Sequence, residues 1–179
     1  MGWALSVYNA WNVHVTDSSF IGAASIGVHI ELARNVTLNA SNIFDVKPRL
    51  WNVDGMLLDK EACVTACAYM NDKPSSCFEV SITNNVAAGC KFAGFVVPGY
   101  DCDDSSSTIF RDNISHSNKG TGADVFADSA NGRKHDKCYE VSHFKAYKTE
   151  QPCLATHYKT NEMRVHDITC IDTQLGVSL

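Results

Sequence analysis

One short pattern recurs six times along this chain and constrains its fold more than any other feature. In each copy a turn residue is followed by two apolar residues separated by one position, as in Gly94, Phe95 and Val97. A turn followed by period-two alternation is typical of a short strand with one buried face. Five glycines and one alanine occupy the turn positions: Gly27, Gly55, Gly94, Gly122, Ala155 and Gly176.

Units of about 20 to 25 residues are too small to bury their own apolar faces, so they must stack on one another. Each unit has a first strand, a turn near Asn, Asp or Ser, and a second strand. Stacking places equivalent strands side by side and parallel, about 4.8 Å apart. The sequence therefore predicts an all-β fold, a parallel β-helix of about six coils that forms a single domain over residues 1–179. The predicted inward residues include Val28, Ile30, Met56, Leu58, Phe95, Val97, Val177 and Leu179.

An antiparallel sandwich is the competing all-β fold, but it requires hairpin signals between strands. Asn131-Gly132 is the one Asn-Gly pair in the sequence, and it lies in a polar stretch predicted to be a loop. Residues 60–76 fit no strand period and are predicted to be a cysteine-containing insertion, with a short helical turn near residues 59–67. Because the apolar pattern begins at Trp3 and the last unit ends in mid-strand, we expect a fragment of a longer solenoid whose partners are flanking coils.

Eight cysteines are a high share for 179 residues, and their even number and irregular spacing favour disulfides over a zinc ribbon. Eight cysteines allow about a hundred pairings, so the connectivity stays open, although we expect at least one bridge in the predicted insertion. Three glycosylation sequons, at Asn35, Asn39 and Asn113, agree with an extracellular or cell-surface location. The disulfide candidates are Cys63, Cys67, Cys77, Cys90, Cys102, Cys138, Cys153 and Cys170.

The composition argues against several classes of partner. The net charge is −5 and no basic block offsets it, which argues against nucleic acid. No apolar run approaches the roughly 20 residues that span a bilayer, so direct membrane insertion is not expected. The sequence contains no P-loop, dinucleotide fingerprint or Gly-x-Ser-x-Gly elbow, and we predict no cofactor.

Two groups of polar residues are candidates for chemistry. Asp101, Asp103 and Asp104 form the densest acidic cluster, and glycoside hydrolysis needs two carboxylates flanking the bond. The Gly-His-Gly and Arg-x-Lys motifs expected beside such a pair are absent, which favours a solvated loop, with weak calcium binding as an intermediate interpretation. The second group is the predicted outward column of the strands: His29, Leu57, Val96, Asp124, His157 and Ser178. Leu57 and Val96 interrupt its polar members, so no metal site is predicted there.

Residues 84–102, NNVAAGCKFAGFVVPGYDC, resemble the Asn-x-Val-Ala-x-Gly…Gly-Phe…Gly…Cys segment of the fibrocystin family of large cell-surface proteins. The stretches RNVTLNASNIFDV and WNVDGMLLD are weaker echoes of the same family. The resemblance implies a right-handed parallel β-helix in the ectodomain of a much longer protein, often associated with cilia, and no established catalytic residues. More distantly, the repeats are similar to those of cell-surface hyaluronidases and, in fold alone, to pectin-degrading enzymes.

These observations favour a non-catalytic structural or adhesive extracellular segment over an enzyme, with an extracellular protein or a glycan as its external partner. The alternative is a carbohydrate-active enzyme or carbohydrate-binding module that uses the acidic loop and the outward strand face. A cleft lined with aromatic side chains beside paired carboxylates would support the alternative. A rod with disulfide-tied loops would support the first interpretation.

Overall fold

Three strands and three corners form one coil of this chain. A computed structural model describes residues 3–47, 62–67, 77–98, 100–102, 109–126, 134–157 and 159–178. Within these residues the regular elements are all strands and no helix is present. The strands of the first three coils are β1 (Trp3–Tyr8), β2 (Trp11–Thr16), β3 (Ser19–Ile21), β4 (Ile26–Glu31), β5 (Arg34–Asn39), β6 (Asn42–Phe44), β7 (Ala62–Ala66), β8 (Phe78–Thr83) and β9 (Val86–Ala88).

The later coils repeat this order, with one additional short strand, β11, in the fourth coil. A last strand, β20, follows the sixth coil. These strands are β10 (Ala93–Pro98), β11 (Tyr100–Asp101), β12 (Ile109–Arg111), β13 (Ile114–His116), β14 (Thr121–Phe126), β15 (Lys134–Ser142), β16 (Lys145–Thr149), β17 (Leu154–His157), β18 (Lys159–His166), β19 (Thr169–Thr173) and β20 (Val177–Ser178). The two-strand unit predicted from the sequence is therefore wrong, because each coil contributes at least three strands.

Equivalent strands of successive coils pair in parallel and build three faces. The first face is a seven-stranded sheet in the order β1-β4-β7-β10-β14-β17-β20, and another is a six-stranded sheet in the order β3-β6-β9-β13-β16-β19. The third face consists of a four-stranded sheet, β2-β5-β8-β12, and a three-stranded sheet, β11-β15-β18. Only the β11–β15 pair is antiparallel among the described strand pairs. This architecture is the parallel β-helix that the repeat predicts.

The inward positions predicted from the alternation form the core. Val28, Ile30, Phe95 and Val97 are at most 1% exposed. Val177, which was also predicted to face inward, is 40% exposed because it lies on the edge strand β20. Met56, Leu58 and Leu179 lie outside the described residues.

Three phenylalanines fill the interior of the fourth and fifth coils. The ring centroids of Phe95, Phe110 and Phe144 are 5.3–6.2 Å apart, and the Phe95 ring meets the other two in edge-on geometry. All three side chains are fully buried. Aromatic rings prefer such edge-to-face or offset arrangements, and each buried ring removes a large apolar area from water. This cluster is the largest aromatic contact of the described core.

One corner has the same length in every coil. Two residues connect each strand of the third face to the following strand of the six-stranded sheet, and the first of the two has a φ between 50° and 58°. We call this the short corner. Its first residues, in chain order, are Asp17, Ala40, Asn84, Asp112, His143 and Asp167.

Buried side chains at the second position of the short corner form a ladder of hydrogen bonds. The Asn85 Oδ1 accepts from the main-chain N–H of Ser41, and the Asn113 Oδ1 accepts from the N–H of Asn85, both at 3.0 Å. The two Nδ2 groups donate to the main-chain carbonyls of Leu38 and Ile82. Because buried main-chain groups are costly when unpaired, this ladder fixes the register of coils two to four.

The segment 60–76 is not an insertion where the structure describes it. Ala62–Ala66 is strand β7, which is fully buried and pairs with both β4 and β10 in the seven-stranded sheet. The helical turn expected at residues 59–67 is wrong for the same reason. Both faces of β7 are buried, so its sequence, ACVTA, shows no apolar–polar alternation that could have revealed a strand. Residues 68–76 lie outside the described part of the chain.

From the second coil onwards the repeated turn position holds glycine or a disulfide-bonded cysteine, whereas β1 has Ala4 at this place. Strand pairing aligns Gly27, Cys63, Gly94, Gly122, Cys153 and Gly176. Cys63 therefore takes the place predicted for Gly55, and Cys153 takes the place predicted for Ala155, which lies two residues further on. We call this the glycine register.

Candidate functional site

The outward side of the seven-stranded sheet is the candidate functional site, because polar side chains are buried there. Pairing places one residue from each strand in a single column: Ser6, His29, Thr65, Val96, Asp124, Ala155 and Ser178. The four side chains from His29 to Asp124 are at most 5% exposed. An outward side chain of a β-helix is exposed unless something packs over it, so this part of the face is covered.

Apolar side chains beside this column are covered as well. Ala62 and Ala93 are fully buried, and they form a small cluster with Val96 and the half-buried Phe92. This cluster is separate from the main core, because the sheet lies between them. The seven-stranded sheet therefore packs on both sides, as parallel sheets usually do.

His29 has the most elaborate surroundings in the column. The indole of Trp3 stacks on its imidazole, with ring centroids 4.9 Å apart and an interplanar angle of 9°. Its Nδ1 lies 3.5 Å from the Ser6 Oγ, and its Nε2 lies 3.4 Å from a carboxylate oxygen of Glu31. Alternation placed His29 outward and Glu31, two residues further along β4, on the same face, but it gave no sign of Trp3 or Ser6. The pairing of β1 with β4 brings Trp3 and Ser6 to His29.

Burial sets the protonation of this group. It lowers the pKa of His29 and raises the pKa of Glu31. Both directions favour the uncharged forms, because a charge loses solvation when it leaves water. The uncharged His29 and Glu31 side chains are suited to packing with the Trp3 ring under the cover. They are less suited to acting as a charged acid or base.

The outward column does not bring together the carboxylates that polysaccharide hydrolysis needs. Asp124 lies three strands from His29 and Glu31, which corresponds to about 14 Å across the sheet. Carboxylates that act as a pair in glycoside hydrolysis lie roughly 5–9.5 Å apart. His157, predicted in this column, instead pairs with Phe126 and falls two positions away from it.

The acidic loop predicted from the sequence contributes no described carboxylate. Asp101 belongs to β11, where only its main chain is described, and it pairs with Tyr139. Asp103 and Asp104 lie outside the described residues. Leu57, the other predicted member of the outward column, also lies outside them, and Thr65 occupies the corresponding place in the third coil.

Comparison with known families agrees with this geometry. A family described as a right-handed β-helix region matches residues 3–146, most of the chain. The chain belongs to the right-handed β-helix family. Comparisons with curated proteins and with solved structures give no significant match. In the part of this β-helix that the structure describes, no helix is long and apolar enough to cross a membrane.

Disulfides are present within individual coils of this β-helix, as the cysteine count predicted. Each of the bridges has a Cα–Cα distance of 5.7 Å, within the usual range. Cys102 is also disulfide-bonded, whereas the side chain of Cys138 lies outside the described part. The described pairs are Cys63–Cys90, Cys67–Cys77 and Cys153–Cys170.

The three sequons of this β-helix lie in different surroundings. Asn35 is exposed on β5, and its Nδ2 donates to Asn12 Oδ1 at 2.7 Å. Asn39 is half-buried at the end of the same strand, where its Oδ1 accepts from Thr83 and Asn84. Asn113 is fully buried in the short-corner ladder. A glycan on its Nδ2 is incompatible with this packing, so Asn35 and Asn39 stay as predicted acceptors.

Proposed function

We propose that this chain is a non-catalytic structural or adhesive segment of an extracellular, cell-surface β-helix protein of the fibrocystin type. In this role the β-helix is a stiff rod whose outer faces are available to other molecules, while further coils of the same protein stack on its ends. The proposal concerns function and location, both of which go beyond the fold.

The distribution of exposed apolar side chains carries this proposal. Every large apolar side chain that is strongly exposed among the described residues lies in the first coil or after the last short corner. These side chains are Tyr8, Trp11, Ile21, Ile171, Leu175 and Val177. In the same places the strands β1, β2 and β3 at one end, and β19 and β20 at the other, pair on one side only. Apolar surface beside unpaired strand edges is suited to a further parallel coil.

The cystines and the sequons support an extracellular setting. Disulfides persist in oxidising compartments and are rare in reducing ones. The Cys63–Cys90 and Cys153–Cys170 bridges each join two strand-and-corner segments of one coil, so they stiffen the rod locally. Asn35 lies on an exposed part of the third face, where a glycan would point into solvent.

Sedimentation equilibrium of the purified chain tests the proposal. We expect concentration-dependent association, because each end offers apolar surface and open strand edges. Ile21→Glu, on the edge strand β3, should weaken that association. Lys145→Glu places a carboxylate on an exposed position of β16 in the same sheet, which is paired on both sides, and it should leave the association unchanged. A chain that stays monomeric at millimolar concentration would contradict the proposal.

A second candidate, glycan binding, rests on the outward side of the six-stranded sheet. There the His116 and Tyr147 rings stack at a centroid distance of 4.7 Å and an angle of 6°, both half-buried. Phe44 lies in the same outward column, two strands from His116. Aromatic faces beside one another can bind sugar rings by stacking. Retardation of the chain in a hyaluronan or polygalacturonate gel, abolished by Tyr147→Ala, would favour a carbohydrate-binding module, and release of cleaved product would favour an enzyme.

A further inference from the structure

Four polar side chains meet on the surface where the fifth and sixth coils turn through the short corner. The His166 Nδ1 lies 2.9 Å from the Asp167 Oδ2, and the His166 Nε2 lies 3.0 Å from the Glu140 Oε1. The His143 Nε2 lies 3.7 Å from the same Asp167 oxygen. One ligand atom from each of His143, His166 and Asp167 lies within 4.8 Å of the other two.

The coil register produces this cluster from residues that are distant in sequence. Strand β15 pairs with β18 so that Ser142 lies beside His166, and the next residues, His143 and Asp167, are the first residues of successive short corners. A main-chain hydrogen bond from His143 N–H to the His166 carbonyl, at 3.3 Å, holds the two corners together. The left-handed φ values, 52° and 55°, give both residues the same backbone conformation.

We propose that His143, His166 and Asp167 form a binding site for a divalent transition-metal ion, of which Zn²⁺ is the best match. Two imidazole nitrogens and one carboxylate oxygen are a common zinc donor set, with a fourth position left to water. This site does not rest on the proposed structural role, because it uses polar side chains of the fifth and sixth coils and none of the exposed apolar side chains on which that role is argued.

The distances are those of a site that needs little rearrangement. Zinc bonds to nitrogen and oxygen are about 2.0–2.2 Å long, so the donor atoms of a tetrahedral site lie roughly 3.4 Å apart. The His166 Nδ1 and the His143 Nε2 lie 2.9 Å and 3.7 Å from the Asp167 Oδ2, on either side of that value. The three side chains are about half exposed, so small rotations can bring the donors to their final positions.

Glu140 completes the arrangement as a positioning residue. Its carboxylate oxygen lies on the Nε2 side of His166 and can accept a hydrogen bond from Nε2–H, so that, with a metal bound, Nδ1 on the Asp167 side would supply the lone pair. Metal-binding histidines commonly donate their second ring N–H to a carboxylate, which fixes the tautomer and strengthens the ligand. Glu140 therefore orients His166 and does not itself need to bind the metal.

The donor set also selects among metals. Ca²⁺ and Mg²⁺ prefer oxygen ligands in larger number, whereas imidazole suits zinc, copper, nickel and cobalt. Thiolate competition within the chain is limited, because seven of the eight cysteines are in disulfides. The proposal therefore predicts binding of Zn²⁺ and Co²⁺ and no comparable response to Ca²⁺.

Isothermal titration of the tag-free, disulfide-intact chain with ZnCl₂ tests the site. We expect one saturable Zn²⁺ per chain, and Co²⁺ should give the visible absorption bands of a low-symmetry site with nitrogen donors. His166→Ala and His143→Ala should each abolish this binding. Glu140→Gln should weaken it by roughly 10–100-fold while keeping the stoichiometry, which is the usual effect of losing a ligand-orienting carboxylate.

His14→Ala is the matched control, because His14 is an exposed histidine on the distant strand β2 and should leave the affinity unchanged. Far-ultraviolet circular dichroism of each variant checks that the β-helix is intact. The proposal fails if the chain binds no Zn²⁺ saturably, or if His166→Ala and His143→Ala bind as tightly as the parent. It also fails if the only complex is one ion shared by two chains, as sedimentation would detect.

Discussion

At the scale of single residues, His29 shows how an outward position becomes interior. Its side chain points away from the coil, yet the stacked Trp3 ring and the cover over the seven-stranded sheet leave it only 2% exposed. Alternation predicts direction, not exposure. The outward direction of His29 could therefore be predicted, whereas its burial could not, because it depends on side chains that only the fold places above it.

Stability should depend on pH through His29. Its folded pKa is lower than its ordinary value of about 6.5, so the unfolded chain binds a proton at a higher pH than the folded chain does. The free energy of unfolding contributed by His29 is then fully present above about pH 6.5 and is lost as the pH falls through the folded pKa. We expect His29→Gln to reduce the loss of stability between pH 7.5 and 5.5, measured as urea midpoints.

Glu31 acts with the opposite sign, because its pKa is raised by burial and its contribution is lost as the pH rises through the folded value. The difference in urea midpoint between the parent and His29→Gln at each pH separates the contribution of His29 from that of Glu31. His14→Gln, which removes an exposed histidine, is the control. If His14→Gln changes the pH dependence as much as His29→Gln does, the assignment to His29 is wrong.

At the scale of elements, the glycine register lies at or directly before the start of the strands β4 to β20 in the seven-stranded sheet. A Cβ on Gly94 would overlap the Ser115 Oγ and lie 2.7 Å from the carbonyl oxygen of Gly122. The φ of Gly94 is not in the left-handed region. Glycine is therefore required there by space and not by backbone conformation. Cys63 fits the same register in the third coil, where the residue of the facing strand between Val86 and Ala88 is the small Ala87.

Two glycines of the same register give a matched test. Gly94→Ala should lower the free energy of unfolding by about 1–3 kcal/mol, because the added methyl group overpacks a filled interior. Gly176→Ala should change it by little, because nothing lies within 4 Å of a Cβ at that position. Chemical denaturation of both variants measures the difference. Equal effects would show that the register does not restrict side-chain volume.

The repeat could be predicted at this scale because alternation in β4 and β10 is strong: the inward residues are Val, Ile and Phe. It could not be placed in the third and sixth coils, where the register position is cysteine. Cysteine gives no turn signal, so the pattern of Gly and Ala predicts Gly55 and Ala155 for these coils instead. The strand β7 was missed for a related reason, since a strand buried on both faces has no period-two contrast.

At the scale of the whole molecule, the cystines are the long-range constraints. The Cys63–Cys90 bridge closes a segment with a sequence separation of 27, and the Cys67–Cys77 bridge closes one of 10. Pairing could not be predicted from the sequence, because it depends on which coil positions face one another. Cys153 and Cys170, for example, meet only because the glycine register faces the inward residues of the six-stranded sheet.

The free energy of unfolding that is lost when a bridge is removed should increase with the length of the segment that the bridge closes. Replacing both Cys63 and Cys90 by alanine should cost about 3–4 kcal/mol, and replacing both Cys67 and Cys77 roughly 1 kcal/mol less, if the constraint on the unfolded chain dominates. Thermal or urea unfolding of the two double variants measures the ranking. The reverse ranking would contradict it, and a non-reduced digest that shows free thiols at these positions would remove its basis.

The short corner has a consequence for how a rod of this kind can acquire new properties. Its length is constant, its backbone conformation is constant, and its first residue is Asp, Ala, Asn, Asp, His and Asp in successive coils. The fold therefore tolerates different chemistry at this position while holding neighbouring copies about one strand spacing, 4.8 Å, apart. The first residues of successive short corners therefore form a row along the rod in which each position accepts different side chains. A pair of substitutions in adjacent coils therefore changes two neighbouring surface groups at once, while the length and backbone conformation of the corner stay the same.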